Sequence, residues 1–210
     1  MRVVACGQQK GGVGKTTLVI NLACYAVARG KKTAVIDMDT GQRTAERWSG
    51  RRQKDVEGPS VFPSSTVTIR QLIGKLRSDG YDWVFVDLPG QQSPNASTGL
   101  LSADFVLIPC GPSVFDVDSS QATFGVLRPQ ARRYAYLLSN VVYQERFAAT
   151  ATQMKLASLG YEVNPIVITH RGEVRKASDC GSSCIEMYPE GKAALEFAEL
   201  YEWLEGMVRI

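Results

Sequence analysis

The chain has 210 residues and a mass of 23.0 kDa, with 44% hydrophobic residues, 21% charged residues and a formal net charge of +3. That balance supports a sizeable buried core and excludes a disordered tail or a minimal disulfide-stapled scaffold. So weak a basic bias does not by itself indicate a protein coated in nucleic acid.

Five cysteines, Cys6, Cys24, Cys110, Cys180 and Cys184, are an odd number, and no apolar leader with a cleavage site precedes the first motif. Reduced thiols in a cytoplasmic protein are therefore expected. The longest apolar runs, such as Phe105 to Pro109, fall far short of the roughly 20 residues that cross a bilayer.

In chain order, Val3 to Cys6, Thr33 to Ile36, Trp83 to Val86, Phe105 to Ile108 and Ala135 to Leu138 are nearly continuous apolar runs, which predicts strands buried on both faces. Thr17 to Ala28 sets Val19, Ile20, Ala23 and Val27 at helical spacing, and Val67 to Leu76 does the same with Ile69, Leu72, Ile73 and Leu76. From Glu190 to Val208, residues Ala193, Ala194, Phe197, Leu200, Tyr201 and Leu204 predict a closing helix. Residues 50 to 66, with Gly50, Gly58, Pro59 and Pro63, read as a surface connection. The alternation predicts an α/β fold, a doubly wound, mostly parallel sheet flanked by helices, with residues 1–210 forming one domain.

The most informative stretch is Lys10-Gly11-Gly12-Val13-Gly14-Lys15-Thr16-Thr17, between the first strand and the first helix. Glycines there let the backbone wrap around phosphates and aim N–H groups at them, with the helix N-terminus adding positive potential. Lys15 would reach the β and γ phosphates and the Thr16 hydroxyl would ligate Mg²⁺. The ordinary spacing G-x-x-x-x-G-K-[ST] is not met, because Gln9 stands at its first glycine; the variant K-G-G-x-G-K-T is.

Asp37 and Asp39 end the second predicted strand, and Asp87 ends the next strongly apolar one. Carboxylates at strand C-termini face the crevice where doubly wound sheets bind ligands. A single such aspartate can equally be a helix N-cap or a turn residue.

The loop resembles the deviant Walker A motif of the ParA/MinD superfamily of P-loop ATPases, with Lys10 at the place of the added lysine. The resemblance implies ATP and Mg²⁺ as cofactors, ATP hydrolysis, and an ATP-dependent sandwich homodimer in which Lys10 reaches the partner's phosphates. It further implies catalytic roles for Lys10, Lys15 and Asp39, and nucleotide binding by Gly11, Gly12, Val13, Gly14, Lys15, Thr16, Thr17 and Asn140. Metal binding would fall to Thr16, Asp37 and Asp87, with Gly90 in the segment that senses the γ-phosphate. Asn140 at a strand end is also an ordinary turn residue. Pro109, Pro112, Ser113 and Asp116 are similar to the family's P-x-x-P-S-x-x-D stretch at the dimer interface. The run Asp39-Thr40-Gly41-Gln42-Arg43 departs from the D-P-Q of ParA-type proteins toward the D-x-G-x-R of MinD-like ones. Trp48, Arg51, Arg52 and the segment Arg171 to Glu186 nevertheless resemble the ParA type.

Residues 128 to 176 hold eight basic side chains, Arg128, Arg132, Arg133, Arg146, Lys155, Arg171, Arg175 and Lys176, against Glu145, Glu162 and Glu173. If they share a face, this is the footprint of sequence-independent DNA contact; otherwise it is ordinary solvated charge. The end, with Glu196, Glu199, Glu202 and Glu205 on its polar positions, would be repelled by anionic lipid, so no membrane insertion is expected. Too few residues precede Gln9 for an N-terminal helix-turn-helix. Cys110, Cys6 and Cys24 are expected to pack as small apolar groups rather than hold an iron–sulfur cluster, and His170 to be a packed or turn residue.

The expectation is thus a small ParA-type ATPase, cytoplasmic and nucleoid-associated, that binds non-specific DNA as an ATP dimer. A stimulating adaptor or cargo protein would trigger hydrolysis and release, driving plasmid or chromosome partition or positioning a large cargo such as carboxysomes. The alternative is a MinD-like spatial regulator acting through protein or membrane-surface contacts.

Overall fold

The computed structural model describes residues 1–65 and 68–208. Seven strands, β1 (Arg2–Cys6), β2 (Thr33–Asp37), β3 (Ser60–Pro63), β4 (Trp83–Asp87), β5 (Phe105–Cys110), β6 (Tyr134–Val141) and β7 (Val163–Thr169), form one sheet. Their order is β3-β2-β4-β1-β5-β6-β7, and every pairing is parallel. Strand side chains alternate between faces, and both faces are covered. From β1 and β4, Val4, Cys6, Trp83 and Phe85 enter the core under α1 (Lys15–Ala28) and α9 (Lys192–Met207). Val3, Ala5, Val84 and Val86 enter the opposite core, which α3 (Ile69–Ser78), α4 (Pro94–Ser102) and α6 (Arg146–Ser158) close.

A parallel sheet puts every strand's carboxyl end, and the N-terminus of the helix that follows, on one edge. The chain leaves β1 toward β2 on one side, whereas β5 lies on β1's other side. The carboxyl end of β1 is therefore the switch point where such sheets bind ligands.

Two strands lie where the sequence shows no apolar run. Residues 50 to 66 are not wholly a connection: Ser60–Pro63 pairs with Ala34–Asp37 as an edge strand. Its four residues are partly exposed and end in proline, so an edge position suits it and apolar patterning is weak. Strand β7 carries Asn164 and Pro165, and its pairing with β6 has register shifts. Helix α3 begins at Ile69; Val67, the expected start of that segment, lies outside the described residues, as do Arg209 and Ile210. The remaining helices are α2 (Thr44–Ser49), α5 (Val114–Leu127), α7 (Gly172–Asp179) and α8 (Cys184–Met187).

Candidate nucleotide site

The loop from Gly7 to Gly14 leaves β1 and turns into α1. Gly14, at the N-cap of α1, has φ 88°, a left-handed conformation that disfavours side chains. Two side chains on β6 hold the loop from behind: Ser139 Oγ donates to the Val13 carbonyl at 2.7 Å and Asn140 Nδ2 to the Gly12 carbonyl at 3.1 Å. Asn140 itself sits at φ 56°, a strained setting that asparagine tolerates better than most residues and that is enriched at functional sites.

Lys15 is buried at 8% exposure, and its Nζ donates to the Lys10 carbonyl at 3.0 Å. Burial lowers its ammonium pKa, while the Asp87 charge pulls the other way. An ammonium so poorly hydrated gains strongly from an arriving phosphate. Gly90, after β4, lies against this loop: a Cβ there would stand 3.4 Å from both Lys15 Nζ and Gly11 Cα. Any rearrangement around the end of the loop is therefore felt at Gly90.

The three aspartates occupy different environments. Asp87 is buried, and Thr16 Oγ1 donates to its Oδ2 at 2.7 Å, which joins two of the expected metal ligands. Its Oδ1 is buried with no hydrogen-bond partner. Burial pushes the Asp87 pKa to about 7, against the opposing effect of the Thr16 bond. An unsatisfied buried carboxylate oxygen beside a threonine hydroxyl fits a hard cation such as Mg²⁺. Asp37 spends its carboxylate on backbone: it accepts from Asp39 N at 3.0 Å, Ala45 N at 3.0 Å and Glu46 N at 3.1 Å, and so caps α2. Asp39 Oδ1 accepts from the N–H groups of Gly41 and Gln42 at 3.2 and 2.9 Å.

One open cleft collects Gly11, Gly12, Gly14, Lys15, Thr16, Thr17, Asp39, Gly90 and Asn140. A second cavity of about 230 Å³ continues from Gly14 and Thr17 past Asn140, His170 and Arg171 to Phe197. The structure thus brings the expected phosphate-loop residues, Asp39 and Asn140 to one place, with Asp87 behind Thr16.

The signature lysine and the P-x-x-P-S-x-x-D stretch also meet. The Lys10 ammonium pairs with Asp116, whose carboxylate accepts from Ser113 N and Oγ in the capping box of α5. Gln8, 2% exposed, ties the two segments together: its Oε1 accepts from Lys10 N at 3.0 Å and its Nε2 donates to Ser119 Oγ at 3.1 Å. Gln8, Ser139 and the His170 contact described below were not singled out by motif reading. Position next to the loop was the only signal for Gln8.

The basic residues do not share one face. Arg128, Arg132 and Arg133 lie between α5 and β6, at the amino edge of the sheet, and Lys155 is in the last turn of α6 near that edge. Arg146, Arg171, Arg175 and Lys176 lie at the carboxyl edge, near the N-termini of α6 and α7. Arg171 is occupied by Glu196, at 2.8 Å. Cys6, Cys24, Cys110 and Cys184 are buried, and burial raises all four thiols, Cys24, Cys110 and Cys184 to about 12. Thiols of that kind are inert packing groups. Among the described residues no cluster of His, Cys, Asp and Glu has metal-site geometry, and no helix is long and apolar enough to cross a membrane.

The sequence pattern of the CobQ/CobB/MinD/ParA nucleotide binding domain matches residues 4–183. The chain belongs to this family. Its members include ATPases, and they bind nucleotide with magnesium, which fits the donor set around Asp87 and Thr16. The chain is 28% identical over 200 residues to the maintenance of carboxysome distribution protein A of Halothiobacillus neapolitanus, covering 92% of this chain and 91% of that one. It is 24% identical over 243 residues to the chromosome-partitioning ATPase Soj of Thermus thermophilus, covering 100% and 97%. In fold it is similar to MinD in the MinC:MinD cell division protein complex of Aquifex aeolicus, with a TM-score of 0.80 at 20% identity over 98% of this chain and 96% of that one.

Proposed function

We propose that this ParA/MinD family member is an ATP-hydrolysing switch that forms a face-to-face dimer with ATP and Mg²⁺, binds DNA without sequence specificity in that state, and is reset when a partner protein stimulates hydrolysis. The observation that carries this reading is the single cleft in which the loop, Lys15, Asp39 and Gly90 converge at the carboxyl edge of the sheet, with Lys10 on its rim.

Each side chain has a role its surroundings support. The loop amides and Lys15 hold the triphosphate, Thr16 and Asp87 hold the metal, and Asp39, partly exposed and fixed by two backbone N–H groups, orients a water against the γ-phosphate. The metal supplies charge neutralisation at the bridging oxygens, and phosphoryl transfer asks little else of a protein beyond positioning. Asp37 supports this set by fixing the backbone around Asp39. Lys10 completes the partner's pocket.

Similarity to a carboxysome distribution protein and to Soj supports cargo positioning or chromosome partition as the output. A MinD-like regulator is the second reading, favoured by the Asp39-Thr40-Gly41-Gln42-Arg43 run. Filter retention of non-specific DNA with ATP and with ADP, at stated salt and alongside liposome sedimentation, separates them. ATP-dependent retention without liposome binding is expected; liposome binding without DNA retention would overturn the first reading.

A further inference from the structure

We propose that His170, through its Nε2 atom, is a specificity residue that selects adenine over 6-keto purines, acting together with Asn140. This rests on the nucleotide reading above and deepens it. Neighbouring strands β6 and β7 deliver the two residues side by side at the carboxyl edge, and the His170 N–H donates to the Val141 carbonyl at 2.7 Å. Asn140 Oδ1 lies 2.8 Å from His170 Nδ1.

The hydrogen-bond chain fixes the protons. The Gly12 carbonyl only accepts, so the Asn140 amide must turn its Nδ2 toward it. Oδ1, which also only accepts, then faces His170, and Nδ1 must carry the hydrogen. A neutral imidazole protonated on Nδ1 leaves Nε2 as a bare acceptor.

Both residues line the cavity that continues from the loop, whose other walls include Leu18, Ile168, Val174 and Phe197. Apolar walls with a few directed polar groups suit a planar heterocycle. Adenine places an amino donor at position 6, which Nε2 can accept. Guanine and hypoxanthine place an acceptor there, which faces another acceptor and leaves both unpaired. A site built on such a bond rejects the mismatched analogue far more strongly than an apolar pocket does.

The test is equilibrium binding of ATP and of ITP, with Mg²⁺, to the wild-type protein and to His170→Ala and His170→Asn. ITP is chosen because its base, hypoxanthine, replaces the 6-amino group by a keto oxygen without adding guanine's second amino group. The expected result is a preference for ATP of more than about tenfold in the wild type, reduced to within about threefold in His170→Ala. A purely structural role would weaken both nucleotides together and leave the ratio alone. An unchanged ATP to ITP ratio in both variants, or no preference in the wild type, overturns the proposal while leaving the phosphate-loop reading intact. Binding of neither nucleotide by the wild type overturns both.

Discussion

Lys10 and Asp116, 106 residues apart in sequence, form an ion pair within one chain. The lysine expected to act on a neighbouring molecule is thus held at home by the residue that also caps α5. Burial alone would raise the Asp116 pKa, but the bonds from Lys10 and Ser113 hold it below the usual carboxylate value. Lys10 is 46% exposed, so screening keeps the pair weak, at most about 1 kcal/mol.

If Lys10 must leave Asp116 to reach a partner's phosphates, the pair opposes dimerisation. Asp116→Asn should then tighten the ATP-dependent dimer by up to about fivefold. Sedimentation equilibrium across a concentration series measures this. Monomer affinity for ATP should stay unchanged.

Lys15→Ala removes the buried ammonium that meets the phosphates and should reduce ATP affinity by at least about a hundredfold. Asp39→Ala should leave binding nearly unaltered and abolish turnover. Titration calorimetry beside a phosphate-release assay distinguishes the two; equal loss of binding in both variants would contradict the separate roles.

Asp87 predicts a pH dependence of the ligand-free protein. Its folded pKa, raised to about 7 by burial, exceeds the ordinary 3.8. A carboxyl with a raised folded pKa contributes stability that is present below about pH 4 and is lost as pH rises toward 7. Asp87→Asn, neutral at every pH, should therefore raise the apo protein's stability at pH 8 by about 1–3 kcal/mol while weakening Mg²⁺-nucleotide binding. Thermal melts with EDTA and with Mg²⁺-ATP check both signs. A variant that melts lower than the wild type in EDTA at pH 8 would contradict the description of Asp87 as a strained, unpaired carboxylate.

Because the basic side chains divide between opposite edges of the sheet, the DNA question has a geometric answer. Binding that requires the ATP dimer needs a surface near the seam between protomers, which favours the carboxyl-edge residues Arg146, Arg175 and Lys176. Arg175→Glu with Lys176→Glu should weaken DNA retention and flatten its salt dependence, whereas Arg132→Glu with Arg133→Glu at the amino edge should change it less than about twofold. The reverse ranking would place the DNA on the far edge.

Motif spacing located the site because a phosphate loop demands particular residues at particular positions, whichever fold carries it. The five strongly apolar strands were legible for a similar reason: a strand covered on both faces must be apolar throughout, as Val3 to Cys6 and Trp83 to Val86 are. Strand β3 was hidden because an edge strand can be short and half exposed, and β7 because Asn164 and Pro165 break its pattern while Asn164 Oδ1 accepts from Ile166 N at 2.7 Å. Linear clustering of arginines could not show that α5 and β6 carry Arg128, Arg132 and Arg133 to the opposite edge from Arg171 and Arg175. Pairs such as Lys10 with Asp116, or Asn140 with His170, arise from crossovers and leave no trace in local sequence.

The most direct test of the face-to-face dimer uses Asp39→Ala, in which ATP should persist. Light scattering after size exclusion with Mg²⁺-ATP should give twice the 23.0 kDa monomer mass, and adding Lys10→Ala should return the protein to the monomer. A monomeric Asp39→Ala protein under saturating ATP, or a dimer indifferent to Lys10, would contradict the account.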